Sequence, residues 1–357
     1  RLNANGTRDT SFNPAVNAGV LAIVVQEDGK ILMGGNFDKL LVRLNPNGTL
    51  DSSFQPNVTP DYSGGYLGAV TALAIQRNGS ILVGGTISFK DAPLQIGVGR
   101  LLPNGSLDSS FVPPAYSRGS VVKTISVLPD QSVLIGGCFG LSMAVWVAEH
   151  LSPNGERLAK SAYSRLVNPR VFSAAVQSDD KLLLGGIAIS DSPGRQNLIR
   201  FNTDMSIDTN FALYVDGPVL ALAAQAGGKT LVGGAFKSIG GVACTNLALI
   251  RDDGSIGQTF SHSFTGTSPI VWAIAPQLDG GVLIGGEFEG MDDRIQKNLV
   301  RLYDPTPTTS KIWSDGYSII WTPESEASLF YDVGFSYSLD SSNWTPLGVA
   351  VRQDRSW

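Results

Sequence analysis

Six times along the chain an apolar run closes on two adjacent glycines: ILMGG at Gly35, ILVGG at Gly85, VLIGG at Gly137, LLLGG at Gly186, TLVGG at Gly234 and VLIGG at Gly286. The spacings are 50, 52, 49, 48 and 52 residues. A period of that length marks an array of supersecondary units, each too small to bury its own apolar face and stable only against its neighbours. Another apolar run precedes each glycine pair, as in VLAIVVQ before Glu27-Asp28-Gly29 and VTALAIQ before Arg77-Asn78-Gly79. Asp-Gly or Asn-Gly between two such runs predicts a tight hairpin. A third run follows the glycines and ends in a turn, LVRLNPNG to Gly48, VGRLLPNG to Gly105 and AEHLSPNG to Gly155. A short fourth strand is expected at D-x-S-F or its equivalents, closing at Phe12, Phe54, Phe111, Phe211 and Phe260.

Four short antiparallel strands in chain order make one blade of a β-propeller, an architecture that protects sheet edges by radial repetition. The fold class is therefore all-β, a propeller of six four-stranded blades over residues 1–305, with seven blades as the alternative. A shorter β-rich segment fills 306–357. A strand end without Cβ atoms lets a neighbour approach closely, and first-strand Ala22, Ala72, Ala221 and Ala273 are small, as a crowded inner strand requires. The glycine pairs are read as architecture, because no helix follows that could hold a phosphate. Residues 1–12 enter in mid-repeat, which reads as a piece of a longer polypeptide, and their DTSF is expected to complete the last blade and seal the ring.

The period and the glycine-ended second strand also occur in kelch propellers. More specifically, RLN-x-NG-x-x-D-x-SF followed by V-x-A-x-x-x-Q-x-DG-K-ILVGG-F resembles the delta-60 repeat, a β-propeller repeat of secreted and surface bacterial proteins. The resemblance covers residues 1–305 and implies a fold and an extracellular or cell-surface setting; it carries no shared catalytic residues. Departures fall at Leu128-Pro129-Asp130-Gln131 and at 156–163. The segment 311–357 resembles a β-rich module that follows such repeats, and Ser338, Asp340 and Trp344 approximate an Asp-box turn.

Composition narrows the functional classes. Charged residues are only 16% and the net charge is −5, without any Lys/Arg run, so a nucleic-acid surface is not expected. No apolar stretch approaches the ~18 residues of a membrane span. Cys138 and Cys244, 106 residues apart in different repeats, read as two free thiols. The two histidines stand apart: His150 takes the place of the third-strand Arg43, Arg100, Arg200 and Arg301, and His262 lies between blades. No zinc spacing, nucleophile elbow or phosphate loop occurs, so no catalytic residue, metal or cofactor is expected. Carboxylates at Asp38, Asp216, Glu287, Glu289, Asp292 and Asp293 lie in loops; the last four form the densest cluster, read as solvated charge with calcium as the alternative. The recurring Asp9, Asp51, Asp108 and Asp208 read as turn residues. The sequon-like Asn5, Asn47, Asn78, Asn104, Asn57 and Asn343 read as turn chemistry rather than glycosylation sites.

Blade topology sends the 2–3 and 4–1 connections to one face, and these are the connections that vary: 55–68, 86–97, 112–119, 212–217, 236–246 and 287–298. Variable loops on a rigid scaffold are where binding residues gather. Tyr62, Tyr66, Tyr116 and Tyr214 are the candidate binding residues there, suited to stacking on sugars or anchoring a protein. The expected function is a non-enzymatic extracellular or cell-surface module, a scaffold or adhesion unit of a larger surface protein, fibre or appendage. Its expected partners are protein or glycan, with copies of itself a further candidate. Two alternatives remain: a lectin or glycan-active enzyme using the variable face, and a filament subunit assembling through 306–357.

Overall fold

The computed structural model describes residues 1–3, 6–14, 16–62, 67–138, 148–158, 170–187, 197–225, 228–257, 262–277, 281–292 and 294–303, and four later strands between 310 and 349. Every regular element among them is a β-strand. The chain divides into two compact units, residues 1–174 with 184–207, and residues 175–183 with 208–357.

The first unit holds repeats one to three. Their first strands are Val20–Val25, Ala69–Ile75 and Val121–Val127; their second strands are Ile31–Gly35, Ile81–Ser88 and Val133–Cys138; their third are Leu41–Leu44, Val98–Leu101 and Ala148–Leu151. Each sheet runs antiparallel with the second strand in the middle. Where the first strand meets the glycines it bulges, between Val20 and Ala22, Val70 and Ala72, and Val122 and Thr124.

That bulge explains the glycine pair. The second glycine lies under a carbonyl of its own first strand: a Cβ on Gly85 would overlap the carbonyl oxygen of Ala69, and one on Gly137 that of Val121. The first glycine faces the next repeat. A Cβ on Gly84 would stand 2.7 Å from Cγ1 of Val122, and on Gly136 2.7 Å from Cγ1 of Val171, while on Gly34 it would overlap Val70. Each valine is fully buried in the notch, and burial of such a side chain contributes about 2 kcal/mol. Ala72, Leu82, Val98, Phe111, Val122, Val133 and Ile135 then form one core between repeats two and three.

The predicted fourth strand is not extended at D-x-S-F. The Asp carboxylate accepts the N–H two residues on (Ser11 to Asp9, 2.9 Å; Ser53 to Asp51, 3.0 Å; Ser110 to Asp108, 3.0 Å), and the Phe N–H returns to the Asp carbonyl. Those two bonds curl the backbone into a turn. What remains of a fourth strand is a single bridge just before it, Leu44 to Leu50 and Leu101 to Leu107.

The curl also builds a clasp. Arg43 donates from Nε to Asp51 at 2.8 Å, lies over the Phe54 ring at 4.6 Å, and donates from Nη1 to the Pro103 carbonyl in the Pro-Asn-Gly turn of the next repeat. Arg100 does the same with Asp108 (2.7 Å), Phe111 (5.0 Å) and the Pro153 carbonyl (2.6 Å). Arg1 repeats it with Asp9 (2.8 Å), Phe12 (4.9 Å) and the Pro46 carbonyl (2.8 Å). The Ser11 hydroxyl and then Arg1 hold the Asp9 carboxyl at about 2. Asp51 is held well below the usual carboxylate range by Ser53 and then Lys30 and Arg43; at Asp108 burial works the other way and is outweighed by Ser110 and Arg100.

The second unit repeats the scheme in repeats five and six. The first, second and third strands are Val219–Gln225, Lys229–Gly234 and Leu247–Arg251 in one, and Ile270–Pro276, Gly281–Glu287 and Leu299–Tyr303 in the other. A Cβ on Gly233 would stand 2.6 Å from Val271, at the centre of a core that includes Leu231, Leu247, Ile284 and Val300. Gly285 differs, with nothing closer to such a Cβ than Ala273 at 3.8 Å. The fourth repeat, with strands Arg170–Val176, Leu182–Ile187 and Leu198–Phe201, supplies residues to both units. Beyond residue 309 the described strands form two hairpins, Ser310–Ser314 with Ile319–Pro323 and Gly334–Tyr337 with Thr345–Val349. The Asp-box residues lie outside the described residues. No helix among the described residues is long and apolar enough to cross a membrane.

Candidate functional site

In four repeats the variable connections are tied together through one carboxylate. In repeat one Asn17, arriving along the 4–1 connection, donates its amide to Asp38 of the 2–3 connection at 2.7 Å. In repeat two Asn57 donates to Asp91, the Asp91 N–H returns to Asn57 at 3.2 Å, and Thr59–Pro60 pairs with Ile87–Ser88. In repeat five the roles reverse: Asp216 accepts the N–H groups of Lys237 (2.8 Å) and Ser238 (3.0 Å). In repeat six Asp292 accepts the Ser263 N–H at 3.0 Å and pairs with His262 Nδ1 at 3.0 Å, beside a short ladder of Phe264–Thr265 with Gly290–Met291. At Asp216 and Asp292 burial, which by itself raises a carboxyl, is outweighed by these donors, so both are held below the usual range. Three of the scattered acids, Asp38, Asp216 and Asp292, are therefore loop staples, as is Asp91; Asp293 lies outside the described residues.

The four candidate tyrosines do not share one role. Tyr62 is 66% exposed. Leu67 and Leu94, from the two variable connections of the same repeat, are 77% and 78% exposed. Tyr214 is partly exposed beside the staple at Asp216, where its carbonyl accepts the Gly240 N–H at 2.8 Å. Tyr66 lies outside the described residues. Tyr116 is a correction: it is buried, and its hydroxyl donates to the fully buried Glu149, which also takes Arg157 at 2.6 Å. Burial, and then the Glu149 charge, push the Tyr116 hydroxyl far up its range, so it remains a donor within the core and offers no ring to a ligand.

The remaining expected residues are placed as follows. His150 bonds Ser132 Oγ at 2.7 Å from the third strand of repeat three, and burial lowers its affinity for a proton. Cys138 and Cys244 are free thiols. Asn47, Asn78 and Asn104 each accept the N–H two residues on (Thr49, Ser80 and Ser106, each 3.0 Å), which is turn chemistry; Asn5 and Asn343 lie outside the described residues. Gln131 takes the glycine place of its hairpin turn at φ 66°. Among the described residues no group of three or more His, Cys, Asp or Glu is arranged to hold a metal.

One cleft on the variable connections is lined by functional groups. Gly266, Thr267, Ser268, Glu287, Phe288, Glu289, Lys297 and Asn298 enclose about 360 Å3 in repeat six. Trp272, the bulged residue between Val271 and Ala273, is 48% exposed and donates its indole N–H to Glu287 at 3.0 Å. The sequence marks Glu287 and Glu289 but not Trp272, whose first-strand position holds Leu21, Thr71, Lys123, Phe172 and Leu220 in the other repeats and so carries no recurring signal.

Antiparallel sheets that pack on one another through glycine notches, repeat after repeat, define a β-propeller. Four segments, residues 26–54, 76–111, 177–211 and 225–260, match the family described as Domain of unknown function (DUF5122) beta-propeller. No curated protein matches the chain. Among solved structures it is similar to the WD40 β-propeller domain of Doa1 (15% identity, 88% of this chain and 91% of that one, TM-score 0.51). It is also similar to virginiamycin B lyase from Staphylococcus aureus (14% identity, 87% and 95%, TM-score 0.52) and to a streptogramin B lyase (16% identity, 79% and 81%, TM-score 0.51). At these identities the likeness shows the fold alone.

Proposed function

We propose that the chain is a non-enzymatic binding module of the delta-60 type, displayed outside the cell or on its surface, which holds a protein or glycan partner on its variable-loop face. The observation that carries the reading is the stapling of those loops: in repeats one, two, five and six the pair of connections is held by a carboxylate, and in repeat two the tied loops present Tyr62, Leu67 and Leu94 to solvent. Rigid loops with exposed apolar tips lose little conformational freedom on binding, which favours affinity. Asp9, Asp51 and Asp108 are engaged with Arg1, Arg43 and Arg100 in clasps between repeats, so these recurring acids serve architecture. The extracellular setting rests on the resemblance of the repeat.

Proteins and glycans extracted from a bacterial cell surface are arrayed and probed with the full chain, wild type beside a Tyr62→Ser, Leu67→Ser, Leu94→Ser variant. Selective binding that the variant loses, at an unchanged melting temperature, is the expected result. Saturable turnover of an arrayed glycan would make the chain an enzyme and overturn the reading, as would binding that the triple variant retains in full.

A further inference from the structure

We infer that the repeat-six cleft is a carbohydrate subsite, with Trp272 as its stacking platform and Glu287, Glu289 and Lys297 as its hydroxyl partners. The inference rests on the proposed binding role of the variable face and names a ligand class for one part of it.

The argument is one of matching donors and acceptors. A pyranose presents an apolar face of C–H groups and a rim of hydroxyls, each able both to donate and to accept. The cleft offers the complement. Glu287 and Glu289 accept only, Lys297 donates only, and Thr267, Ser268 and Asn298 do both. Beside them the indole of Trp272 is half exposed, and its N–H bond to Glu287 fixes both the ring plane and one carboxylate before any ligand arrives. A preset aromatic plate and a preset acceptor lower the ordering cost of binding. The floor is firm as well. The Phe288 ring is buried against Phe264, centroids 4.9 Å apart, and the Glu289 N–H bonds the Thr265 carbonyl at 2.8 Å. Gly266, at φ 138°, opens the wall facing Glu289, where any side chain would be strained. An amine or a metal cation would gain from the two carboxylates but would be repelled by the Lys297 ammonium in the same cleft. A neutral, hydroxyl-rich ligand uses all three groups.

The test titrates the full chain with neutral hexasaccharides (cellohexaose, chitohexaose and mannohexaose), and separately with spermidine and Ca2+, by calorimetry and tryptophan fluorescence. At least one hexasaccharide is expected to bind the wild type. Trp272→Ala should abolish that binding, and Glu287→Gln should weaken it tenfold or more. Glu27→Gln, in the exposed hairpin turn of repeat one, should leave it unchanged. Because Trp272 is half exposed, Trp272→Phe serves as a control for folding and should retain part of the affinity. The inference is overturned if no hexasaccharide binds at about 1 mM, if Trp272→Ala binds as the wild type does, or if only spermidine or Ca2+ binds. Sugar binding lost with Tyr62→Ser and kept with Trp272→Ala would remove this subsite and leave the binding role of the face intact.

Discussion

Arg100 and Asp108 sit together in one clasp, and the other repeats show what happens when one member changes. In repeat five the arginine position holds Leu249 and the aspartate position Gly257, and a Cβ on that glycine would stand 3.0 Å from Leu249. In repeat three they are His150 and Leu158, joined by a backbone bond at 3.0 Å. In repeats three and five both members change together, as expected where removing one charge leaves the other buried and unpaired. Arg100→Leu alone is expected to cost about 3 kcal/mol in urea unfolding. Arg100→Leu with Asp108→Gly, the pairing repeat five uses, should be less destabilised than that single variant by about 1–2 kcal/mol. Simple additivity would show that the two act independently. The sequence displays the recurring Arg and the recurring Asp separately, and the turn role of Asp is legible from its Ser two residues on. Their partnership is not, because a separation of eight residues has no meaning until the strand and the turn fold the two back on each other.

Within a single blade the glycine notch is the part most readable in advance, since six recurrences of a residue without Cβ demand a close approach. What recurrence does not reveal is that the two glycines answer to different neighbours, one to a carbonyl on the bulged strand beside it and one to the next repeat. Gly34→Ala must displace Val70, and overpacking of that kind costs about 1–3 kcal/mol, so its melting temperature should fall by several degrees. Gly285→Ala, with 3.8 Å to its nearest neighbour, should melt within about 1 °C of the wild type. An equal fall in both would mean that glycine is needed there for its backbone alone. The fourth strand was misread for a related reason. D-x-S-F follows a turn and closes on an apolar residue, as a short strand would, and the two hydrogen bonds that curl it leave no trace in that pattern.

For the molecule as a whole, the propeller class was legible from the period, and the exposed loop residue Tyr62 from its place in a variable connection. Tyr116 was not, because its connection also carries the chain past a buried glutamate whose partner lies eight residues further on, at Arg157. Among the described residues, the two hairpins after residue 309 pair only within themselves. Ending the chain at residue 305 should therefore shift the melting of the repeats by less than about 2 °C. Light scattering of the same two proteins bears on the filament alternative: assembly of the full chain and not of the shortened one would assign polymerisation to 306–357. The clasp, finally, imposes an order in time. Each arginine reaches forward to a carbonyl 45, 60 or 53 residues later in the chain. On a ribosome adding about 5–20 residues a second, that is a wait of roughly 2–12 s. A newly made repeat thus stays unlatched until its successor has emerged, and the array matures from its beginning to its end, each blade inspected by the one that follows.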